Sequence, residues 1–409
     1  MFQITKKDSN SQARCGILTT KHGHIETPAY TIVATHGEVR CLTPSDLNAT
    51  DTQVVIANTY HLWQTLGDAL DTYEGLHTTM QWEKPIMTDS GGFQIFSLGF
   101  AREHGIGKLA NIFPEDDPRK LLPEASYRGS TSIEKNLVRI TDDGAHFTTD
   151  DGTEHFLGPK ESIHIQEKLG ADIILAFDEC TSPLNTYEYT KEALARTHTW
   201  AKICLEKKTR DDQLLYGITQ GGEYKDLREE SAKYIGELPF DGFAIGGSLG
   251  QSRNDMLDVL RWTIPILPED KPRHFLGIGK IEDIFDSVEQ GIDTFDCVIP
   301  TREARHGRIW TTDMHTGPDT QKPRHHFDIK KGIYAKNTTP LDPNCTCPIC
   351  EKGTTKKDLH ELFKAKDPNA AKYATIHNIH FFTTLMSEIR KAIKEEKLQA
   401  LREHYLKTK

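Results

Sequence analysis

The chain has 409 residues, 36% of them hydrophobic and 27% charged, with eight cysteines and a formal net charge of −10. Such a length and apolar content build one large α/β domain plus an appendage and exclude disorder over most of the chain. No run of about 18 apolar residues occurs, and the opening MFQITKKDSNSQARCG lacks an apolar centre, so neither a membrane span nor a secretion signal is expected and the predicted address is cytoplasmic.

In chain order, eight apolar runs each stop at a polar residue or glycine: AYTIVAT (29–35), VVIAN (54–58), PIMTD (85–89), DIILAFDE (172–179), LLYGITQGG (214–222), GFAIGG (242–247), RHFLGIG (273–279) and DTFDCVIP (293–300). Between them lie segments with a 3.6-residue apolar rhythm, such as PKESIHIQEKLG (159–170) and IEDIFDSVEQGI (281–292), which read as crossover helices. Eight strand–helix alternations predict a (β/α)8 TIM-type barrel, with an open doubly wound sheet as the alternative. The expected division is a barrel over residues 1–312, carrying a charged insertion at 102–137, and a small helical subdomain over 313–409 packed on the barrel.

A barrel presents its chemistry at the C-terminal ends of its strands. Here those ends carry Asn58, Asp89, Asp178, Gln220, Gly246, Gly247, Gly277, Gly279 and Asp296. Taken singly, an aspartate after a strand reads as a helix cap and a glycine pair as close packing. Their joint occurrence at successive strand ends fits a planar, polar ligand.

Cys15, Cys41, Cys180, Cys204 and Cys297 are scattered, which is no disulfide framework, whereas Cys345-Thr-Cys347-Pro-Ile-Cys350 sets three thiolates within six residues. That spacing wraps a tetrahedral zinc, and a fourth ligand must come from a later segment. His377 is the leading candidate, with His380 and His360 as alternatives. Three thiolates and one imidazole leave no open coordination position, so the metal is expected to be structural. The stretches DLHELFKAKDP and FFTTLMSEIRKAIKEEKLQALREHY read as helices around it. From Thr301 onward, 21 Lys and Arg stand against 13 Asp and Glu, so this segment is +8 and the first 300 residues are −18. A basic C-terminal third is compatible with a phosphate backbone as partner.

The motifs Thr88-Asp89-Ser90-Gly91-Gly92-Phe93-Gln94, Phe177-Asp178-Glu179-Cys180, Gly217-Ile218-Thr219-Gln220-Gly221-Gly222, Ala244-Ile245-Gly246-Gly247 and Phe295-Asp296-Cys297-Val298-Ile299-Pro300-Thr301-Arg302, followed by the cysteine knuckle and His377-Asn378, closely resemble the tRNA-guanine transglycosylases. The resemblance covers residues 14 to 395. With no archaeal-type C-terminal RNA-binding extension, the chain looks like a bacterial or eukaryotic-type catalytic subunit.

The resemblance implies Asp296 as the nucleophile at ribose C1′ of the wobble guanosine and Asp89 as the acid/base. It implies Asp178, Gln220 and the Gly246-Gly247 backbone as readers of the purine edge. Phe93 and Leu276 would sandwich the ring, Asn58 and Gln94 would orient Asp89, Cys180 would line the pocket, and Arg302 and Arg305 would hold the anticodon loop of tRNAs with a GUN anticodon. It further implies a zinc ion, a 7-deazaguanine as incoming base, and a homodimer. The chemistry agrees: retaining exchange of a glycosidic base needs one carboxylate to trap the anomeric carbon and an acid for the leaving base.

Three departures stand out. Ser248-Leu249-Gly250 follows the double glycine, where many bacterial members carry a Leu-Ala-Val-like run. Gly250 resembles the eukaryotic pattern that accepts queuine, whereas Cys180 matches the bacterial one that takes 7-aminomethyl-7-deazaguanine. The Cys350-to-His377 interval is about one residue long for the family, and the 102–137 insertion has no clear counterpart. Rival readings are a non-catalytic partner subunit, a DNA-acting relative and a zinc-bearing glycosidase. Retention of Asp89 and Asp296 opposes the first, Arg302 and Arg305 with the zinc subdomain oppose the second, and the guanine-reading set opposes the third.

Overall fold

The computed structural model describes residues 1–96, 138–149, 151–182, 185–249, 252–315 and 324–406. The 102–137 insertion and Gly250 lie outside the described residues. Eight parallel strands close into a barrel: β1 (Ala29–Val33), β2 (Val55–Ala57), β3 (Ile86–Thr88), β4 (Ile173–Leu175), β5 (Leu214–Thr219), β6 (Gly242–Ile245), β7 (Arg273–Phe275) and β8 (Thr294–Cys297). Each falls in one of the eight runs read from the sequence, and neighbours around the barrel are neighbours in the chain. Strands β2, β3, β4, β6 and β7 are buried at every position, as a parallel strand covered on both faces must be. No helix among the described residues is long and apolar enough to cross a membrane.

The chain gathers into two compact units. One holds mainly Asn58–Leu76 and Met87–Leu276. In it, helix Pro159–Leu169 packs on Tyr187–Lys207, that helix on Lys225–Gly236, and the last on Arg253–Thr263. Helix starts follow their caps: Asn58 caps Thr59–Leu66, Thr186 caps Tyr187–Lys207, and Ser252 with Asp255 forms a capping box before Arg253–Thr263. Trp200 and Phe177 meet in the core in a tilted arrangement at 5.1 Å between ring centroids, and the indole N–H of Trp200 donates to Asp142 O at 2.6 Å. An antiparallel sheet of Val138–Thr141, Gly144–Thr148 and Glu154–Leu157, absent from the sequence reading, belongs to this unit.

The other unit joins Gln3–Ala57 and His77–Ile86 to Gly277–Lys409. Strand β8 pairs with β1 in the register Phe295↔Tyr30 and Asp296↔Thr31, and β1 pairs with β2. Arg14 and Asp293 form a fully buried ion pair at 2.6 Å, with a second bond from Nε at 3.0 Å. Arg308–His315 and Arg324–Asp328 pair as an antiparallel hairpin, strands that are not among the eight runs read from the sequence. Helix Pro368–Lys394 packs on that hairpin, on Ile299–Arg305, on Lys356–Ala365 and on β1. Ile309, Phe327, Ile329, Leu341, Ile349 and Leu359 share one apolar cluster with Cys347.

Candidate active site and metal centre

Asp89 follows β3 directly. Its Oδ1 accepts from the main-chain N–H of Thr59 at 2.9 Å and of Gly91 at 3.1 Å, and its Oδ2 accepts from Asn58 Nδ2 at 2.5 Å. Asn58 works at both ends, because its Oδ1 accepts from His61 N at 2.9 Å and so caps the helix that opens with Thr59. An aspartate held by main-chain donors and a capping asparagine has its carboxylate plane fixed. Phe93 and Gln94 lie in the helical turn that opens at Gly92; Phe93 is 49% exposed, unusual for an aromatic ring beside buried neighbours, and Gln94 is half-buried.

Asp178, just past β4, and Gln220, at the end of β5, are both buried and meet at 2.5 Å, Nε2 donating to Oδ2. The opposite amide orientation would set two oxygens against each other, so this flip is dictated by chemistry. Gln220 Oε1 is then left buried without a partner among the described residues. Ser90 Oγ donates to the other carboxylate oxygen of Asp178 at 3.2 Å. Burial pushes the Asp178 carboxyl up to about 6, against the bonds from Gln220 and Ser90 that pull it down.

Beside this pair runs the Gly246-Gly247 segment after β6. Gly247 has φ +80, and a Cβ there would stand 2.0 Å from Gln220 Oε1; one at Gly246 would stand 2.9 Å from Gln220 Nε2. Only glycines let the backbone approach the Asp178–Gln220 pair. Cys180 is half-buried, and desolvation with the nearby Asp178 charge pushes its thiol up to about 12, so it is an inert thiol in the pocket wall. Leu276 is half-buried just past β7.

In the other unit, Asp296 lies within β8, half-buried, and its Oδ1 accepts from Gly277 N at 3.0 Å. Tyr30 on β1 donates from its hydroxyl to Cys297 O at 3.3 Å, and burial, then the neighbouring Cys297 and Asp296, hold that phenol protonated. Arg302 and Arg305 sit on helix Ile299–Arg305. Burial holds the Arg305 pKa down against the pull of Cys41, and the positive charges of Arg40 and Arg302 add to the lowering, which places three arginines near one another.

Cys345, Cys347, Cys350 and His377 bring four ligand atoms within 4.8 Å of one another. His377 Nδ1 lies 3.6, 3.6 and 3.3 Å from the three sulfurs in turn. A tetrahedral zinc with ordinary Zn–S and Zn–N bonds would set sulfur and nitrogen about 3.5 Å apart, so the donor set fits such an ion. The other ring nitrogen, Nε2, meets Trp310 O at 2.7 Å, which fixes it as the protonated one and leaves the Nδ1 lone pair able to ligate an ion. His360 bonds Ile329 O and His380 bonds Thr346 Oγ1; neither belongs to the cluster.

Sequence reasoning missed Ser90, Arg228 and Asn378 as contributors. Arg228 had a signal: positions 228, 231, 232 and 235 form one buried helical stripe, and an arginine on such a stripe demands partners. Asn378 had only its place beside His377.

The sequence matches a family model described as Queuine tRNA-ribosyltransferase over residues 8–112 and 119–409. A protein of Archaeoglobus fulgidus is 45% identical over 403 residues, covering 98% of this chain and 98% of its own length. Queuine tRNA-ribosyltransferases of Halothermothrix orenii and Caldanaerobacter subterraneus are 39% identical over 409 residues and 38% over 410, each covering 99% of this chain and 97% and 96% of their own. With the barrel, the glycine-flanked Asp178–Gln220 pair and the Cys3His cluster in place, the match along nearly the full length decides the assignment: this chain belongs to the queuine tRNA-ribosyltransferase family.

Proposed function

We propose that the chain is a tRNA-guanine transglycosylase of the cytoplasm, exchanging the wobble guanine of GUN-anticodon tRNAs for a 7-deazaguanine with retention at C1′. The observation that carries the reading is the buried Asp178–Gln220 pair lined by Gly246 and Gly247. Guanine presents N1–H and a 2-amino group beside a carbonyl, and a carboxylate, a carboxamide and a bare backbone edge are its complement. One hydrogen of Gln220 Nε2 is committed to Asp178, which leaves the second for the base O6.

In the proposed reaction an Asp296 oxygen bonds to ribose C1′ as the C1′–N9 bond breaks, and Asp89 delivers a proton to the departing guanine. The incoming base then returns a proton to Asp89, attacks C1′ and displaces the Asp296 oxygen. The Gly277 N–H on Asp296 and the Asn58, Thr59 and Gly91 donors on Asp89 support this division by fixing both carboxylates. Phe93 and Leu276 take the ring faces, Gln94 supports Asp89, and Cys180 lines the wall. Arg302 and Arg305 take the anticodon loop, with the arginine gathering as support. Zinc is the ion we assign to Cys345, Cys347, Cys350 and His377; when bound it cross-links the knuckle to the long helix. The unit of action is a homodimer, for sedimentation to test.

Trapping tests the reaction. Wild type and Asp296→Asn are each incubated with an anticodon stem-loop and an exchangeable base, then denatured. A denaturation-resistant protein–RNA adduct is expected in the wild type and absent from the variant. No adduct in either, or equal adduct in both, removes Asp296 from the role of nucleophile. Offering queuine and 7-aminomethyl-7-deazaguanine in parallel fixes the incoming base.

A further inference from the structure

Helix Lys225–Gly236 turns Leu227, Arg228, Ser231, Ala232 and Ile235 inward, so a guanidinium lies in the apolar stripe of a core helix, with 0% of the residue exposed. Its hydrogen bonds among the described residues run to main-chain carbonyls. Nε donates to Gly222 O at 2.7 Å, Nη1 to Gly246 O at 2.9 Å and Thr219 O at 3.4 Å, and Nη2 to Ser248 O at 2.7 Å. A buried cation held by dipoles costs more than the aliphatic side chain that would fill the same space. Burial draws its pKa down to about 9, which leaves it charged at neutral pH. Packing of the helix alone does not account for a charge here.

Thr219 O ends β5 and the other three carbonyls come from the loops after β5 and β6, which carry Gln220 and Gly246-Gly247. In a trans peptide the C=O and the following N–H point in opposite directions. Holding Gly246 O and Ser248 O toward the helix therefore turns the N–H groups of Gly247 and Leu249 the other way. The same helix fixes the root of Gln220, whose N–H donates to Ser231 Oγ at 3.0 Å.

We infer that Arg228 is a positioning residue, a five-donor fork that sets the two base-reading loops in register from behind and so fixes the guanine edge of the pocket without touching the base. The inference rests on the proposed reading of this pocket as the guanine site. Lysine keeps the charge but offers donors from a single point and cannot span both loops.

The test is exchange of radiolabelled guanine into tRNA by wild type, Arg228→Lys and Arg228→Gln, with folding followed by circular dichroism. Loss of one or two charge-assisted bonds is expected to raise KM for guanine about tenfold or more in Arg228→Lys, with KM for tRNA and kcat at saturating base within about twofold. An unchanged guanine KM in the folded lysine variant overturns the inference and leaves the transferase reading intact. Equal rises in both KM values, or failure of both variants to fold, assign Arg228 to holding the barrel and overturn it as well. A wild type that exchanges no guanine removes the reading beneath.

Discussion

Two demands oppose each other at Asp178. In the proposed reaction its carboxyl must be ionised to accept from guanine N1–H and the 2-amino group, yet burial pushes it up to about 6. A carboxylate raised in the folded state gives its stabilising contribution below the unfolded value near 4 and loses it as pH rises through the folded one. Between pH 4 and 6, folding stability should therefore fall by roughly 3 kcal/mol from this group while base binding improves. Asp178→Asn is expected to flatten that slope in pH-dependent denaturation, and to abolish the rise of kcat/KM for guanine centred near pH 6. A variant that keeps the wild-type acid limb would assign the limb to another group. Ser90, the second donor to this carboxyl, was not legible as a reader of it, because a serine in TDSGG fits a turn equally well and its target lies 88 residues away. Asp89, Asp178 and Gln220 were legible because each ends an apolar run.

The eight barrel strands were legible for a physical reason: buried on both faces, they read as continuous apolar runs with a hard polar stop. The smaller sheets were not. Strand Phe2–Lys7, which shares a three-stranded sheet with Arg14–Thr20 and Gly23–Thr27, alternates half-buried and exposed positions, and Val138–Thr141 is four residues long with none fully buried, so neither forms an apolar run. The hairpin of Arg308–His315 and Arg324–Asp328 lacks a short turn signal and is rich in histidine and arginine. What joins that hairpin to its neighbours is one side chain. Asn378 accepts from Trp310 N at 3.0 Å and donates to Arg308 O at 2.9 Å and Pro300 O at 3.2 Å, tying helix Pro368–Lys394 to the hairpin and to helix Ile299–Arg305. Asn378→Ala leaves two buried main-chain groups and one part-buried carbonyl without this partner, and a loss of about 2–4 kcal/mol in chemical denaturation is expected. A loss under about 0.5 kcal/mol would show that the junction rests on apolar packing instead.

At the scale of the molecule, chain order does not announce that Gln3–Ala57 shares a compact unit with Gly277–Lys409. Polar contacts that periodicity cannot reveal contribute to the union: the buried Arg14–Asp293 pair, and the part-buried bond from Arg390 Nη1 to Pro28 O at 2.8 Å. Helix Pro368–Lys394 carries Arg390, and among the described residues His377 on the same helix is the member of the Cys3His group supplied from outside the knuckle. A metal bound there ties residues 345–350 to the same helix that Asn378 fixes one position later, so its removal should loosen the unit rather than only a surface loop. Cys345→Ser, or prolonged chelation of the wild type, is expected to lower Tm by about 5–10 °C, with bound zinc falling from one per chain toward none by elemental analysis. The Asp89 and Asp178 environments lie in the other unit, so weakened tRNA binding at unchanged guanine KM is the expected kinetic signature. A serine variant with full zinc content and wild-type Tm would remove Cys345 from the ligand set, and loss of zinc with an unmoved Tm would show that the knuckle folds without its ion.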